Sequence, residues 1–374
     1  MANIGHVSTH YIPVRGGQEV YVDNLIRALS SHNHTVFQLS QPGMDAEPCT
    51  IAAIRKIKKH RRMPAVMDMA LGLTLQHRSL MKMDVLIVNY PEYFRPVSWH
   101  RRVIVLSHGA TWGNLSGGFR ETKKRMSRQA LDGCAAYVFN DTFAMREIGI
   151  DVTASTHCFQ WVTPRAIFIP NCVDTQRFTP TKGKSSIRAL KFICVPRNLN
   201  PGRGIDLSIR ALAEVVRNNF DLNLLIVGDS NIGDVAYRSE LFRLTNMLGL
   251  VGRVFFLGSV ANENMPDVYS SCVMTLIPTR YREGTSLSAL ESMACGTPVV
   301  ATGVEGLLDL PVHHCEVTAE SIAEAIMWMA KRRDQEAESQ RRNVVESFSI
   351  ERWRTAWNGV LDRVLTTGSA RGQH

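Results

Sequence analysis

Short apolar runs alternate with amphipathic stretches along almost the whole chain. Ile4 to Ser8, Thr35 to Leu39, Asp84 to Asn89, Val103 to Ser107 and Ala135 to Asn140 read as strands buried on both faces. Between them, Gly17 to Ser30, Ala65 to Leu80 and Arg120 to Leu131 carry helical spacing. A second series places strands at Phe192 to Val195, Leu222 to Val227, Val254 to Leu257 and Val273 to Pro278. Helices separate these strands at Ile205 to Val216, Ala236 to Leu248 and Pro266 to Ser270, and after residue 317 the pattern stays helical. The polar, turn-rich stretch from Asn171 to Ser186 divides the two series. The alternation predicts an α/β protein with two Rossmann-like parallel sheets facing each other across a cleft. The expected domains are 1–176 and 177–347, followed by a closing segment over 348–374. A chain of 374 residues exceeds what one core usually serves, which agrees with two domains.

Composition narrows the class. With 45% hydrophobic and 21% charged residues, the chain reads as a globular protein, without an apolar run long enough to cross a bilayer. The first residues lack the basic flank and apolar stretch of a signal peptide, and the eight cysteines are scattered without paired spacing. Free thiols in a reducing cytoplasm are therefore expected. The net charge of +9 is uneven: through Gln176 there are 20 Lys/Arg against 13 Asp/Glu, and beyond it 23 against 21. The excess gathers in Ile51 to Arg62, Trp99 to Arg102 and Arg120 to Arg128. Ile51, Ile54 and Ile57 recur every three residues, so the first cluster predicts a basic amphipathic helix. These clusters serve either as solvated faces or as contacts with an anionic surface, such as the inner face of a membrane. No nucleic-acid recognition motif accompanies them.

The chemistry concentrates in one run, Pro278-Thr-Arg-Tyr-Arg-Glu283-Gly-Thr-Ser-Leu-Ser-Ala-Leu-Glu291-Ser-Met-Ala-Cys-Gly296-Thr-Pro298. The apolar Val273 to Pro278 puts Glu283 just beyond the carboxyl end of a strand, the edge where open α/β sheets bind ligands. Gly284, Thr285 and Ser286 open a helix carrying Leu287, Leu290 and Ala294, whose unpaired N–H groups suit a diphosphate. Glu291 follows two turns later, on or near the same face as Glu283. A carboxylate accepts hydrogen bonds from two hydroxyls at once, so the pair suits sugar and ribose. Either glutamate alone would serve equally as a helix-dipole or surface residue; the ordered run carries the functional reading.

Other candidates lie at strand ends. Gly16 and Gly17 open a helix after the first strand, though not as Gly-x-Gly-x-x-Gly, so no nicotinamide dinucleotide is indicated. His108 ends the strand Val103 to Ser107 and suits a sugar hydroxyl or a proton relay. Arg197 and Arg203 follow Phe192 to Val195 and suit a diphosphate leaving group. His157-Cys158 and His313-His-Cys315 lack zinc-type spacing, and the chain has no Asp-x-Asp, so neither a metal nor another cofactor is predicted.

Together these residues resemble the family 4 retaining glycosyltransferases of the GT-B fold, along nearly the whole length. The resemblance rests on Gly16-Gly17-Gln-Glu19, Ile169-Pro-Asn-Cys-Val-Asp174 with Phe178, Pro196-Arg197 with Arg203-Gly204, Val227-Gly-Asp229, and Glu283-x7-Glu291 with Met293 to Val300. It implies metal-independent transfer from a nucleotide-sugar donor, a UDP- or GDP-sugar, with retained anomeric configuration. It places Glu283 by the donor sugar, Glu291 on the ribose, Arg197 and Arg203 on the diphosphate, and His108 near the transferred sugar. Gly16, Gly17, Gly284, Thr285, Ser286 and Leu287 complete the implied donor site. The acceptor is left as a glycan, a lipid-linked sugar or a small molecule. The resemblance also implies that Ser349 to Leu365 returns to the N-terminal domain, with Trp353 and Trp357 as core anchors. This chain departs from the family in having Arg203 where many members have lysine, Thr285-Ser286 where Phe-Gly is common, and a shortened loop after Gly306. Two rival readings are a nucleotide-sugar epimerase or hydrolase of the same fold, and a basic protein that binds membranes or nucleic acid without catalysis.

Overall fold

In a computed structural model, which describes residues 1–12, 17–39, 49–54, 65–112, 115–153, 158–182, 191–228 and 235–367, the two alternating series form two separate sheets. They belong to two compact units, Met1–Asn171 with Glu351–His374, and Cys172–Ile350.

The first unit holds β1 (Asn3–Ser8), β2 (Asn33–Leu39), β3 (Thr50–Ile54), β4 (Val85–Val88), β5 (Val103–Ser107), β6 (Ala136–Phe139), β7 (Gln160–Trp161) and β8 (Ala166–Phe168). Their order is β3-β2-β1-β4-β5-β6-β8-β7, with only the β7–β8 pair antiparallel. Each residue of β4, β5 and β6 is buried, as a sheet covered on both faces requires.

One expectation is overturned here. Where a basic helix is expected over Ile51 to Arg62, its first residues belong instead to the strand Thr50–Ile54, paired with β2 from Thr35↔Thr50 to Leu39↔Ile54. β-branched Thr50, Ile51 and Ile54 suit a sheet edge. Ile54 also packs so closely on Gly72 that a Cβ there would lie 1.9 Å from Ile54 Cγ2. Basic residues 55–62 lie outside the described residues. The helix expected over Ala65 to Leu80 divides into Ala65–Leu75 and a single turn, His77–Leu80.

The second unit holds β9 (Phe192–Val195), β10 (Asn223–Val227), β11 (Val254–Gly258), β12 (Met274–Ile277), β13 (Val299–Thr302) and β14 (His313–Cys315). All pairs are parallel in the order β11-β10-β9-β12-β13-β14. The chain winds outward one way from β9 and the other way from β12. The crevice between their carboxyl ends is therefore the topological switch point of the sheet.

The last helix, Ile350–Thr367, returns to the first unit as expected. Its Trp353, Trp357, Val360, Leu361 and Val364 are buried at a helical spacing, forming one apolar stripe. Trp357 Nε1 donates to Tyr21 Oη at 3.1 Å, and Trp353 meets the Tyr21 ring edge-on at 5.2 Å. Among the described residues, no helix is long and apolar enough to cross a membrane.

Candidate active site

The switch point of the second sheet is built by two loops that interlock. After β9 the chain makes a turn at Pro201–Arg203, closed by Gly204 in the left-handed region at φ 68°. A Cβ on Gly204 would lie 1.9 Å from the carbonyl oxygen of Pro278, so only glycine lets this loop reach the end of β12. A Cβ on Gly228 would likewise lie 2.2 Å from the Arg197 carbonyl oxygen. Arg280 ties the loops together: its backbone N–H donates to Gly202 O at 2.9 Å, and its guanidinium makes two 2.7 Å bonds to Asp206. Tyr237 holds the same carboxylate at 2.7 Å.

These constraints deliver Arg197, Arg203 and Glu283 to one place. Arg197 is buried; its Nη2 donates to Ser286 Oγ at 2.9 Å and lies 3.4 Å from Glu283 Oε1. Arg203 Nη1 donates to Glu283 Oε2, which also accepts from Thr279 Oγ1 at 3.3 Å. Burial pulls Arg197 down from its ordinary range, while the Glu283 charge works against that pull. Its Nε is buried without a partner, in keeping with a guanidinium that has capacity for a further acceptor.

Helix Leu287–Ala294 begins here. Ser286 is its N-cap residue, yet its hydroxyl does not cap the helix and instead accepts from Arg197. The positive end of the helix dipole and a buried guanidinium therefore act on the same spot. Thr285 and Ser286 are buried, and Gly284 and Leu287 are half-buried. Two turns on, Glu291 Oε2 accepts from Tyr269 Oη at 3.0 Å. Burial pushes Glu291 up to about 7, opposed by the Tyr269 hydroxyl and the charges of Arg177 and Arg197. The helix ends through Gly296 at φ 71°, with Thr297 N–H closing on Ser292 O at 3.0 Å. This accounts for Gly-Thr-Pro: glycine takes the left-handed position and proline enters β13.

The first unit offers a different edge. His108 follows β5, and its Nε2 lies 3.1 Å from Asn89 Oδ1, at the end of β4. The Asn89 amide itself donates to Val7 O at 3.2 Å, so its oxygen faces His108 and accepts from the imidazole. Burial lowers His108 to about 4, so the ring is neutral near pH 7. Tyr21 stands edge-on to it at 4.9 Å, the same Tyr21 that the returning helix holds through Trp357. Gly17 opens helix Gly17–Ala28, where Gln18 donates to Ser8 Oγ at 2.8 Å. Gly16, Asp229 and His157 lie outside the described residues.

The sequence pattern did not single out Thr279, Arg280, Asp206, Tyr269 or Glu305. Arg280 lies within the motif run, and its position directly after a strand was the available signal. His313 and Cys315 form edge strand β14, and among the described residues no group of three His, Cys, Asp or Glu could hold a metal. The third basic cluster is largely paired within its own unit. Arg120 and Lys124 meet Glu147 at 2.7 and 2.8 Å, and Lys123 meets Glu92 at 2.9 Å.

Comparison with known proteins gives this geometry a context. The D-inositol 3-phosphate glycosyltransferase of Rhodococcus opacus is 35% identical over 111 residues, covering 29% of this chain and 25% of that relative. A lipopolysaccharide core biosynthesis mannosyltransferase, LpsB of Rhizobium meliloti, is 28% identical over 188 residues, 48% of this chain and 53% of the relative. The chain thus spans between a quarter and about half of these curated relatives. Among solved structures, sucrose-phosphate synthase from Thermosynechococcus elongatus superposes with a TM-score of 0.78 at 18% identity, over 98% of this chain and all of that one. Anabaena HepE in complex with UDP and glucose gives 0.75 at 16% identity, over 97% of this chain and 100% of that one. The fold is therefore GT-B, and residues 181–345, which contain the whole Arg197–Glu283–Glu291 cluster, match the glycosyl transferases group 1 family.

Proposed function

We propose that this chain is a glycosyltransferase that moves a sugar from a UDP- or GDP-sugar to a glycan, lipid-linked or small-molecule acceptor, with retention and without a metal ion. The observation that carries the reading is the cluster at the switch point of the second sheet. There, two guanidinium groups and a helix N-terminus converge on Ser286 and Glu283, with Glu291 two turns along the same helix. A diphosphate would offer Arg197 and Arg203 a second anion, and the helix N–H groups would bind its oxygens. As the glycosidic bond breaks, negative charge grows on the leaving diphosphate, and preorganised cations stabilise it. Those cations supply the charge a divalent metal would otherwise bring, which supports metal independence. Glu291 as a carboxylate would accept the two ribose hydroxyls, with Tyr269 fixing its orientation. Glu283 would hold the sugar hydroxyls. Neutral His108, anchored at Asn89, has its second ring nitrogen available to accept from a hydroxyl. A same-face path needs no protein nucleophile, and none is assigned.

A membrane-held acceptor is part of the proposal. Met67, Leu71 and Leu75 are exposed on one stripe of helix Ala65–Leu75. Trp99, whose ring lies tilted against His77 at 4.2 Å, and Met81 are exposed as well, as are Arg78, Lys82 and Arg101. Apolar side chains with a basic rim suit an anionic lipid surface. Failure to co-sediment with anionic vesicles at low salt would contradict this part alone.

The test of activity is turnover of UDP- and GDP-sugars in EDTA with a panel of acceptors, the product anomer being read by proton NMR. A glycoside with the donor's anomeric configuration is expected. Donor loss without any acceptor would favour the epimerase or hydrolase reading.

A further inference from the structure

Two residues of the candidate donor site take the left-handed backbone region without being glycine: Arg282 at φ 61° and Glu305 at φ 47°. Such conformations persist in non-glycine residues only where the surroundings enforce them. The two are joined. Glu283 N–H donates to Glu305 Oε2 at 2.9 Å, and Gly306 N–H donates to Glu283 O at 3.0 Å. Glu305 is itself buried, in the turn Glu305–Asp309 after β13. Burial raises its pKa, while hydrogen bonding from the backbone of Arg282 and Glu283 opposes the rise.

The backbone of Glu283 is therefore gripped on both sides by residues 305 and 306. At its far end the Glu283 carboxylate is gripped by Arg197, Arg203 and Thr279. We propose that Glu305 is a positioning residue for Glu283, holding the Arg282–Glu283 turn so that the Glu283 carboxylate meets the donor sugar. This assignment to the sugar rests on the donor site proposed above. A glycine at 305 would adopt the observed φ freely but would lose the acceptor. Carboxylate and backbone strain can thus be separated experimentally.

The experiment compares Glu305→Gln, Glu305→Ala and Glu305→Gly in the full chain. Each is followed by sugar transfer, by affinity for the bare nucleoside diphosphate, and by hydrogen exchange of residues 280–286. Glu305→Gln retains an oxygen that accepts the same N–H, so kcat/KM within about threefold of the parent is expected. Glu305→Ala and Glu305→Gly should both lose on the order of 10- to 100-fold, mainly in kcat, because the sugar-contacting group is displaced. Nucleoside diphosphate affinity should stay within about threefold in all three, since Arg197 and Glu291 are untouched. Amide exchange at 282 and 283 should rise about tenfold in the alanine and glycine variants but not in glutamine. A glycine variant with parental activity would reduce the role to backbone strain. Parental activity in the alanine variant, or unchanged exchange at 282–283, would overturn the proposal. A parent that binds nucleotide and transfers no sugar would instead count against the proposed function, leaving the exchange result to decide the positioning claim.

Discussion

The carboxyl edges of the two sheets are alike in topology and opposite in chemistry. At the second, Arg197, Arg203, Glu283, Glu291 and Glu305 bring charged groups together at the switch point. At the first, the hydrogen-bonded groups around the ends of β1, β4 and β5 are neutral: Ser8, Gln18, Asn89, Tyr90 and an uncharged His108. A charged edge is suited to an anion whose charge changes during reaction, a neutral polar edge to hydroxyls that must be oriented. The same sheet topology thus carries two chemically different edges on its loops, which is why function is argued from sites and not from folds.

The largest test of that contrast is Arg197→Ala. Removing the buried cation should lower kcat by about 100-fold or more, the scale seen when one preorganised charge-stabilising donor is lost. Single-turnover kinetics would check it, and a variant within a few-fold of the parent would take the diphosphate away from this loop. Next comes Glu291→Gln, expected to weaken nucleoside diphosphate binding by about 10- to 100-fold, the value of hydrogen bonds to a charged group. Because Glu291 is raised to about 7, parental affinity should climb between pH 6 and pH 8 as the carboxylate forms, and the glutamine variant should be flat. Its effect on stability has the reverse sign. A carboxyl raised on folding contributes stability that is present below its usual 4.5 and lost as pH rises through about 7.

The first unit should respond to acid in the opposite direction. His6 and His34 face each other at 3.0 Å in β1 and β2, with His34 Nε2 bonded to Leu29 O at 2.9 Å. Burial lowers both below 6.5, for His6 helped by its neighbour. They are neutral in the fold and take up protons on unfolding, so the stability they contribute is present above 6.5 and lost as pH falls below it. Five of the six tryptophans lie in this unit, so a melt followed by tryptophan emission reports it, and its midpoint should fall from pH 7 to pH 5. The smallest effect is Trp357→Phe. Losing the bond to Tyr21 and some core volume should cost about 1–3 kcal/mol by denaturant titration. The loosened Tyr21 should then slow turnover more than it alters nucleotide affinity.

The contrast between the edges also explains what could be read from the sequence. Both sheets were legible because β4, β5, β6, β9 and β12 are short apolar runs with a single interpretation. Glu283, Glu291 and the Gly-Thr-Pro helix end were legible because one contiguous run carries strand, turn and helix in order. The Glu305 contact to Glu283 and the Arg280–Asp206 pair were not, because partners 22 and 74 residues apart meet only through the winding of the sheet. The start of the run Ile51 to Arg62 is ambiguous in sequence because isoleucines three apart fit a helix as well as a strand, and only the available edge of β2 decides. The basic run Arg120 to Arg128 read as an open charged face because Glu92 and Glu147, which neutralise part of it, come from other elements.

The most direct measurement is the thermal stability of the purified chain with UDP, GDP, ADP and their sugars, in EDTA, repeated on Glu291→Gln. One nucleotide class should stabilise the parent with chelator present, and the variant should lose most of that gain. No stabilisation by any nucleotide, or an equal gain in the variant, would contradict a donor site built on Arg197, Glu283 and Glu291.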